Sequence, residues 1–391
     1  MTRFFAVFLA LGLFIPAHLT FAATSLEVSG WVPWWQDTKG LKSATKQLSK
    51  LDTVYPFAFE VSSSGNLVDK AKLRESQWKK FFSAAKKKDV EVIPSIMWSD
   101  GKNIHSVLSD STKRSAHIEE IVNMVEKGKF DGINIDYESK MSETKDYFSL
   151  FLKELKAELN GKLLTCAIEA RTPADSLYRT VPTNLQYAND YKAIATYCDR
   201  VELMTYDQQR ADLKLNDARK GAPYVPVSDP EWVEKVVTLA LKDIPAEKIM
   251  LGVPTYGRQW TLTVAPEWYK NYDGDGAINA PVAKKLASKK KVSVSRSSSN
   301  EAVFSYIENK TLAKKVAKMS VPSGTSKGLK ATAQALKYAT DNNVEVPVQL
   351  VWYSDANAIE DKVKLAEKYN LHGVAIFKID GEEDQGIWKL F

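Results

Sequence analysis

Phe130-Asp131-Gly132-Ile133-Asn134-Ile135-Asp136-Tyr137-Glu138 is the stretch on which the reading of this chain turns. Successive side chains of a β-strand point to opposite faces. Asn134, Asp136 and Glu138 therefore share one face, and Ile133, Ile135 and Tyr137 share the other. In an open sheet with two covered faces both sides would be apolar. In a closed barrel the apolar side packs against surrounding helices and the polar side points to the axis. Unpaired buried polar groups cost several kcal/mol each, so such a row calls for a functional reason. Glu138 closes the row at the carboxyl end of the strand, where barrel enzymes hold their chemistry.

Seven further segments have the apolar, β-branched and aromatic character of buried parallel strands. They are Val28–Trp34, Thr53–Val61, Val90–Trp98, Leu163–Ala170, Arg200–Tyr206, Ile249–Pro254 and Gly373–Ile379. Amphipathic helical stretches alternate with them, including Asp69–Lys88, Ser115–Lys129, Glu143–Leu159, Pro230–Lys242 and Ala356–Tyr369. In Glu143–Leu159 the residues Tyr147, Phe148, Phe151, Leu152, Leu155 and Leu159 form a stripe at helical spacing. Eight β–α alternations predict an α/β fold, a (β/α)8 TIM barrel, with a doubly wound open sheet as its rival. The rhythm breaks between the seventh strand and the last helix. Short strands (Val292–Ser295, Val303–Ile307, Val348–Tyr353) and helices (Ala280–Ser288, Leu329–Asn342) predict a small α+β insertion over residues 261–353. The barrel then occupies residues 26–260 and 354–391.

The amino terminus reads as a secretory signal peptide over residues 1–22. Arg3 precedes an unbroken apolar run from Phe4 to Ile15, and Thr20-Phe21-Ala22 offers small residues at −3 and −1. The run is too short for a membrane span. The reading predicts a secreted, periplasmic or envelope protein with no anchor after cleavage. Of the two cysteines, Cys166 lies in a predicted strand and Cys198 just before the next; export permits one bridge, and two buried thiols fit equally. The four histidines are scattered without metal-ligand spacing, so they predict no metal site. Lys86-Lys87-Lys88 and Lys289-Lys290-Lys291 lack interleaved aromatics and read as solvated faces, not nucleic-acid contacts. With 54 basic and 48 acidic residues the net charge is +6, compatible with a neutral or an anionic polymer. A monomer is expected.

Partial desolvation beside Asp136 should raise the pKa of Glu138 and keep it protonated near neutrality, ready to donate to a leaving oxygen. Asp136 can share that proton or hold a substrate group. The stretch from Asp131 to Glu138 resembles the signature Asp-x-x-Asp-x-Asp-x-Glu of glycoside hydrolase family 18. Val201-Glu202-Leu203-Met204-Thr205-Tyr206-Asp207 and Ile249-Met250-Leu251-Gly252-Val253-Pro254-Thr255-Tyr256-Gly257 are similar to its sixth and seventh strands. Val351-Trp352-Tyr353-Ser354-Asp355, Lys362 and His372-Gly373-Val374-Ala375-Ile376-Phe377 resemble its closing helix and eighth strand. The chain is most similar to bacterial members akin to cell-wall and spore-associated glucosaminidases.

The resemblance implies a substrate-assisted retaining hydrolysis of glycans containing N-acetylglucosamine, one of the exceptions to the two-carboxylate scheme, with neither a metal nor an organic cofactor. Glu138 would be the acid and then the base, Asp136 would orient the acetamido group, and Tyr206 would bind it from the far side. Asp131, Asn134, Asp207, Trp98, Phe377 and Trp34 are expected to contribute to substrate binding. Trp31, Trp34 and Trp35 cluster at the first strand, where core packing and sugar stacking are both open. Trp352 is read mainly as packing for the insertion, and Glu169 with Arg171 as an ion pair or a binding pair. The competing reading is a lectin-like protein that binds chitin or peptidoglycan without turnover; retention of Glu138 argues against it.

Three positions depart from the family pattern. Phe377 replaces the usual tryptophan under the −1 sugar and loses area and the indole N–H. The third strand lacks the form Ser-x-Gly-Gly. Asn134 stands where many members carry a third acid; an amide can hydrogen-bond but cannot take up a proton. Asn134→Asp is therefore expected to shift the pH–rate profile, and an unchanged profile would discard this reading of position 134.

Overall fold

The structure is a computed structural model, and it describes residues 26–391. The signal peptide read at residues 1–22 lies outside the described residues. Eight parallel strands close into a barrel: β1 (Glu27–Pro33), β2 (Thr53–Val61), β3 (Ser95–Trp98), β4 (Gly132–Tyr137), β5 (Leu163–Glu169), β6 (Arg200–Met204), β7 (Ile249–Pro254) and β8 (Gly373–Phe377). Each pairs with its neighbours in sequence order, and β1 closes the ring by pairing with both β8 and β2. The third strand is shorter than expected. Glu91–Val92 pairs with β2 and the regular ladder resumes at Ser95. Pro94 lies in the gap, and a proline has no N–H to give to a ladder.

Helices cover the outside. Ile133, Ile135 and Tyr137 are fully buried against them. Helix Lys145–Glu158 supplies Phe148, Phe151, Leu152 and Leu155. Tyr137 stacks on Phe151 at 5.6 Å, and its hydroxyl meets His117 Nε2. Tyr147 does not belong to this stripe: its side chain is 38 % exposed. It faces His105 on the rim, with ring centroids 5.7 Å apart.

After β7 the chain leaves the barrel at once and builds a second, antiparallel sheet of five strands. Its order is Trp268–Asn279, Tyr256–Ala265, Val346–Tyr353, Ala302–Tyr306, Ser295–Arg296. The sequence reading passed over the long hairpin Tyr256–Asn279, although Trp260, Leu262 and Val264 alternate along its first strand. Its outer strand is an edge, mostly exposed and polar, so no apolar alternation marks it. The sheet docks on the barrel through Glu301, a fully buried carboxylate. Glu301 accepts from the backbone N–H groups of Val227 and Ser228 and from Trp352 Nε1 at 2.8 Å. Trp352 is thus a packing and docking residue, 1 % exposed.

The cysteines are joined. Cys166 on β5 and Cys198, just before β6, form a disulfide across 32 residues. A bridge closing a loop of that length restricts the unfolded chain and stabilises by about 3–4 kcal/mol. Reduction, or the double change Cys166→Ala/Cys198→Ala, should lower the denaturation midpoint accordingly; equal midpoints with and without reductant would contradict this.

Candidate active site

Pleat parity carries the polar row of β4 into the barrel. Asn134 is fully buried and Asp136 is 4 % exposed, while Glu138 lies half-buried just past the strand end. Asp136 and Glu138 line a cleft of about 350 Å³ at the carboxyl ends of the strands, together with Glu169, Tyr206 and Asp207. Its apolar side is built from Trp31, Phe57 and Phe377. Phe377 is the centre of that platform. It stacks nearly parallel to Tyr206 at 5.3 Å and meets Trp31 edge-on at 5.9 Å and Phe57 at 6.1 Å.

The carboxylates differ in their partners. Asp136 Oδ1 is buried without a hydrogen-bond partner. Burial pushes the Asp136 carboxyl well above the usual range; the charge of Glu138 adds to this, and Lys140 opposes it. Glu138 is raised too, first by burial and then by the charge of Glu169. Glu169 moves the other way. Burial alone would raise it, but Lys140, Asn189 and the Ser139 N–H together hold it below its ordinary value. Its Oε1 accepts from Ser139 N at 2.8 Å and its Oε2 from Asn189 Nδ2 at 3.0 Å, with Lys140 Nζ 3.6 Å away. Lys140 is itself buried, which lowers its pKa. Tyr206 is pushed well up, chiefly by burial, then by Tyr256 and Asp136, and stays a neutral hydroxyl. Asp207 has one oxygen occupied: Oδ1 accepts from Arg258 Nε at 3.1 Å and Nη2 at 2.7 Å.

Four expected binding residues lie elsewhere. Trp98 pairs in register with Tyr137, one residue after Met97 pairs with Asp136. Since Asp136 faces the axis, Trp98 faces out. It is 3 % exposed, packed edge-on to Tyr137 at 5.4 Å and against His117 at 5.6 Å. Asp131 precedes the strand, at the amino end of the barrel, where its Oδ2 accepts from Val92 N. Asn134 sits one inward step below Asp136, sealed in the interior. Trp34 begins a short 3-10 turn; it lies edge-on to Trp35 at 5.7 Å with Lys70 Nζ 4.8 Å from its ring, and it is not among the side chains lining the cleft. Trp31 takes the role of floor instead.

Sequence reading missed Arg258, Lys140 and Glu202. Arg258 belongs to the unrecognised hairpin. Glu202 was legible: Arg200 and Glu202 are polar at alternate positions of an otherwise apolar strand. Among the described residues, no group of three or more His, Cys, Asp and Glu side chains is placed to hold a metal ion.

The sequence model of glycosyl hydrolases family 18 matches residues 28–382. The uncharacterized glycosylase YvbX of Bacillus subtilis (strain 168) is 23 % identical over 365 residues, covering 90 % of this chain and 87 % of that protein. The cortical fragment-lytic enzyme of Bacillus anthracis is 25 % identical over 274 residues, 70 % of this chain and 52 % of its own length. Among solved structures, a chitinase from Chromobacterium violaceum ATCC 12472 superposes with a TM-score of 0.68 at 18 % identity, covering 94 % of this chain and 98 % of that one.

Trp98→Ala is expected to act on stability, because it empties a buried aromatic site between sheet and helices. The cost should be about 3–5 kcal/mol in a denaturation curve. A variant as stable as the wild type would place Trp98 at the surface after all.

Proposed function

The chain belongs to glycosyl hydrolases family 18, and from that premise we propose that it is an exported hydrolase of β-1,4-linked N-acetylglucosamine glycans working by substrate-assisted retention. That it is a glycoside hydrolase acting on glycans that contain N-acetylglucosamine follows from the family; the linkage, the mechanism and the compartment are our reading. The observation that carries the mechanism is the partnerless buried oxygen of Asp136, beside the carboxyl of Glu138. A buried acceptor without a donor is costly, and an acetamido N–H entering the cleft would satisfy it.

The other carboxylates of the cleft support the same reading. A two-carboxylate retaining mechanism needs a second free carboxylate as nucleophile. Glu169 is tied by Ser139, Asn189 and Lys140, and Asp207 by Arg258. Asp136 keeps a free oxygen in the same cleft, so it is the resemblance to family 18 that assigns the nucleophile to the substrate's own acetamido oxygen. Glu138 donates its proton to the glycosidic oxygen while the acetamido oxygen attacks the anomeric carbon and the glycosidic bond breaks. Asp136 holds the acetamido N–H and balances the positive charge of the oxazolinium ion. Tyr206, kept neutral by burial, donates its O–H to the acetamido group. Glu138, now a carboxylate, takes a proton from water as the water oxygen bonds to the anomeric carbon and the C–O bond of the oxazolinium ion breaks, giving net retention. The stacked pair Tyr206 and Phe377 with Trp31 forms an apolar wall for the sugar ring.

The signal peptide read at residues 1–22 supports export. So does the Cys166–Cys198 bridge, since disulfides persist in oxidising compartments. Chitin oligomers and peptidoglycan both present the unit that the site would read. Glu138→Gln should lower kcat on a fluorogenic chitooligosaccharide by about 10²–10⁴-fold while leaving binding intact. Mass spectrometry of products from chitin hexamer and from purified peptidoglycan, run side by side, identifies the substrate. Saccharide binding by the wild type with no cleavage of either polymer would replace the hydrolase by a lectin-like protein.

A further inference from the structure

A second buried carboxyl lies beneath the reaction centre. Glu202, on β6, is fully buried. Its Oε1 accepts from the Tyr55 hydroxyl at 2.7 Å and its Oε2 from Asn134 Nδ2 at 3.0 Å. The amide of Asn134 is held on every side. Its Oδ1 accepts from Ser95 Oγ at 2.7 Å and Trp31 Nε1 at 3.4 Å, and its Nδ2 also donates to Thr165 Oγ1 at 2.8 Å. Six strands, β1 to β6, each contribute one side chain to this layer. Asp136 stands one step above Asn134 on the same face of β4, and the charge of Glu202 acts on it.

The hydroxyl, indole and amide groups of the layer all suit an anionic acceptor at Glu202. The titratable groups that face it are few: Tyr55 from β2, Asp136 from β4, Arg200 from its own strand and Glu27 from β1. β3 contributes the neutral Ser95. At the level of this layer the inward residues of β5, β7 and β8, namely Thr165, Ala167, Met250 and Ala375, carry no charge; higher on β5 Glu169 faces the cleft, and its charge and that of Lys140 act on Asp136 with opposite signs. Asn134, which lies between them, is fully buried with Glu202, and Asp136 is nearly so, so the coupling runs through a medium of low polarity, where charges act strongly.

We propose that Glu202 is a positioning residue of the reaction that supplies from β6 the carboxyl missing from position 134 of β4. It locks the Asn134 amide beneath Asp136, and its negative charge holds a proton on the Asp136–Glu138 pair. This rests on the hydrolytic roles assigned above to Asp136 and Glu138. Burial raises Glu202 to about 7, against the hydrogen bond from Tyr55 and the charge of Arg200. It therefore gains its charge across the neutral range. As the pH rises and Glu202 ionises, the new charge increases the proton affinity of Asp136, and the acid stays loaded further into the alkaline range.

Glu202→Gln keeps the volume and both contacts, the Tyr55 hydroxyl turning from donor to acceptor. The alkaline limb of its kcat/KM profile should move to lower pH by about one unit. KM should change little, since Glu202 does not line the cleft. Adding Asn134→Asp to Glu202→Gln returns a carboxyl to the layer and should move the limb back toward the wild type. A folded Glu202→Gln enzyme with an unshifted limb overturns the proposal. A second measurement needs neither variant nor substrate: a carboxyl ¹³C NMR titration of the wild-type protein. The Asp136 signal should show an inflection at the midpoint of Glu202; an Asp136 titration blind to Glu202 overturns the proposal equally. If the wild type cleaves no N-acetylglucosamine glycan, the hydrolytic reading falls by itself, and the titration still decides whether the two carboxyls are coupled.

Discussion

A polar side chain sealed inside a closed barrel has to find its partner inside the same barrel. Most of this molecule's interior follows from that constraint. Strand pleating sends every second residue to the axis, and closure removes water from all but the two ends. At the amino end Arg200 is paired with Glu27 at 3.0 Å and Glu91 at 2.6 Å. In the middle, Asn134, Ser95, Trp31, Thr165, Tyr55 and Glu202 satisfy one another. At the carboxyl end Glu169 and Asp207 still find partners, but one inward group is left out. Asp136 keeps an oxygen without a donor, and the cleft opens above it. The polar interior is thus closed from below and left incomplete at the level where a substrate enters.

The cleft is bounded by elements remote in sequence. Tyr206 and Asp207 follow β6, Phe377 ends β8, and Trp31 lies on β1. The second sheet contributes as well. Its first strand carries Arg258, which holds one oxygen of Asp207, so the insertion shapes the rim. Glu169 and Lys140 form a second charged pair whose net effect separates the carboxylates. Glu169 stays ionised, while burial keeps Asp136 and Glu138 inclined to hold a proton. Carboxyl groups lining one cleft thereby differ in their readiness to hold a proton, from their surroundings alone.

The sequence pattern was most informative where the relevant physics is local. The alternation on residues 132–138 placed Asp136 and Glu138 correctly, because side-chain direction along one strand depends only on the backbone of that strand. Trp98 shows the limit. Its position at a strand end suggested the cleft, but its face depends on how β3 pairs with β4, and the register with Tyr137 turns it outward. Asp131 belongs to the same motif as Asp136, yet it sits before the strand and serves the opposite end of the barrel. The outer strand Trp268–Asn279 left no pattern, since an exposed edge strand needs no apolar face; the alternation of Trp260, Leu262 and Val264 on its partner strand was legible and was missed. The cysteines left two options, because no spacing along the chain fixes the distance between β5 and the segment before β6.

By itself, then, the sequence determined the eight β–α alternations, the inward row Asn134-Asp136-Glu138 and the family resemblance, and it favoured a barrel over an open sheet. These are properties of periodicity and of contiguous motifs. The tertiary structure alone decided which inward groups are paired and which is not. Tyr55, Asn134 and Glu202 come from three strands far apart in the chain, and the Arg258–Asp207 contact joins the insertion to the barrel. Their contacts exist only once the ring closes, because register between strands and distance across an interior are set by packing, not by order along the chain.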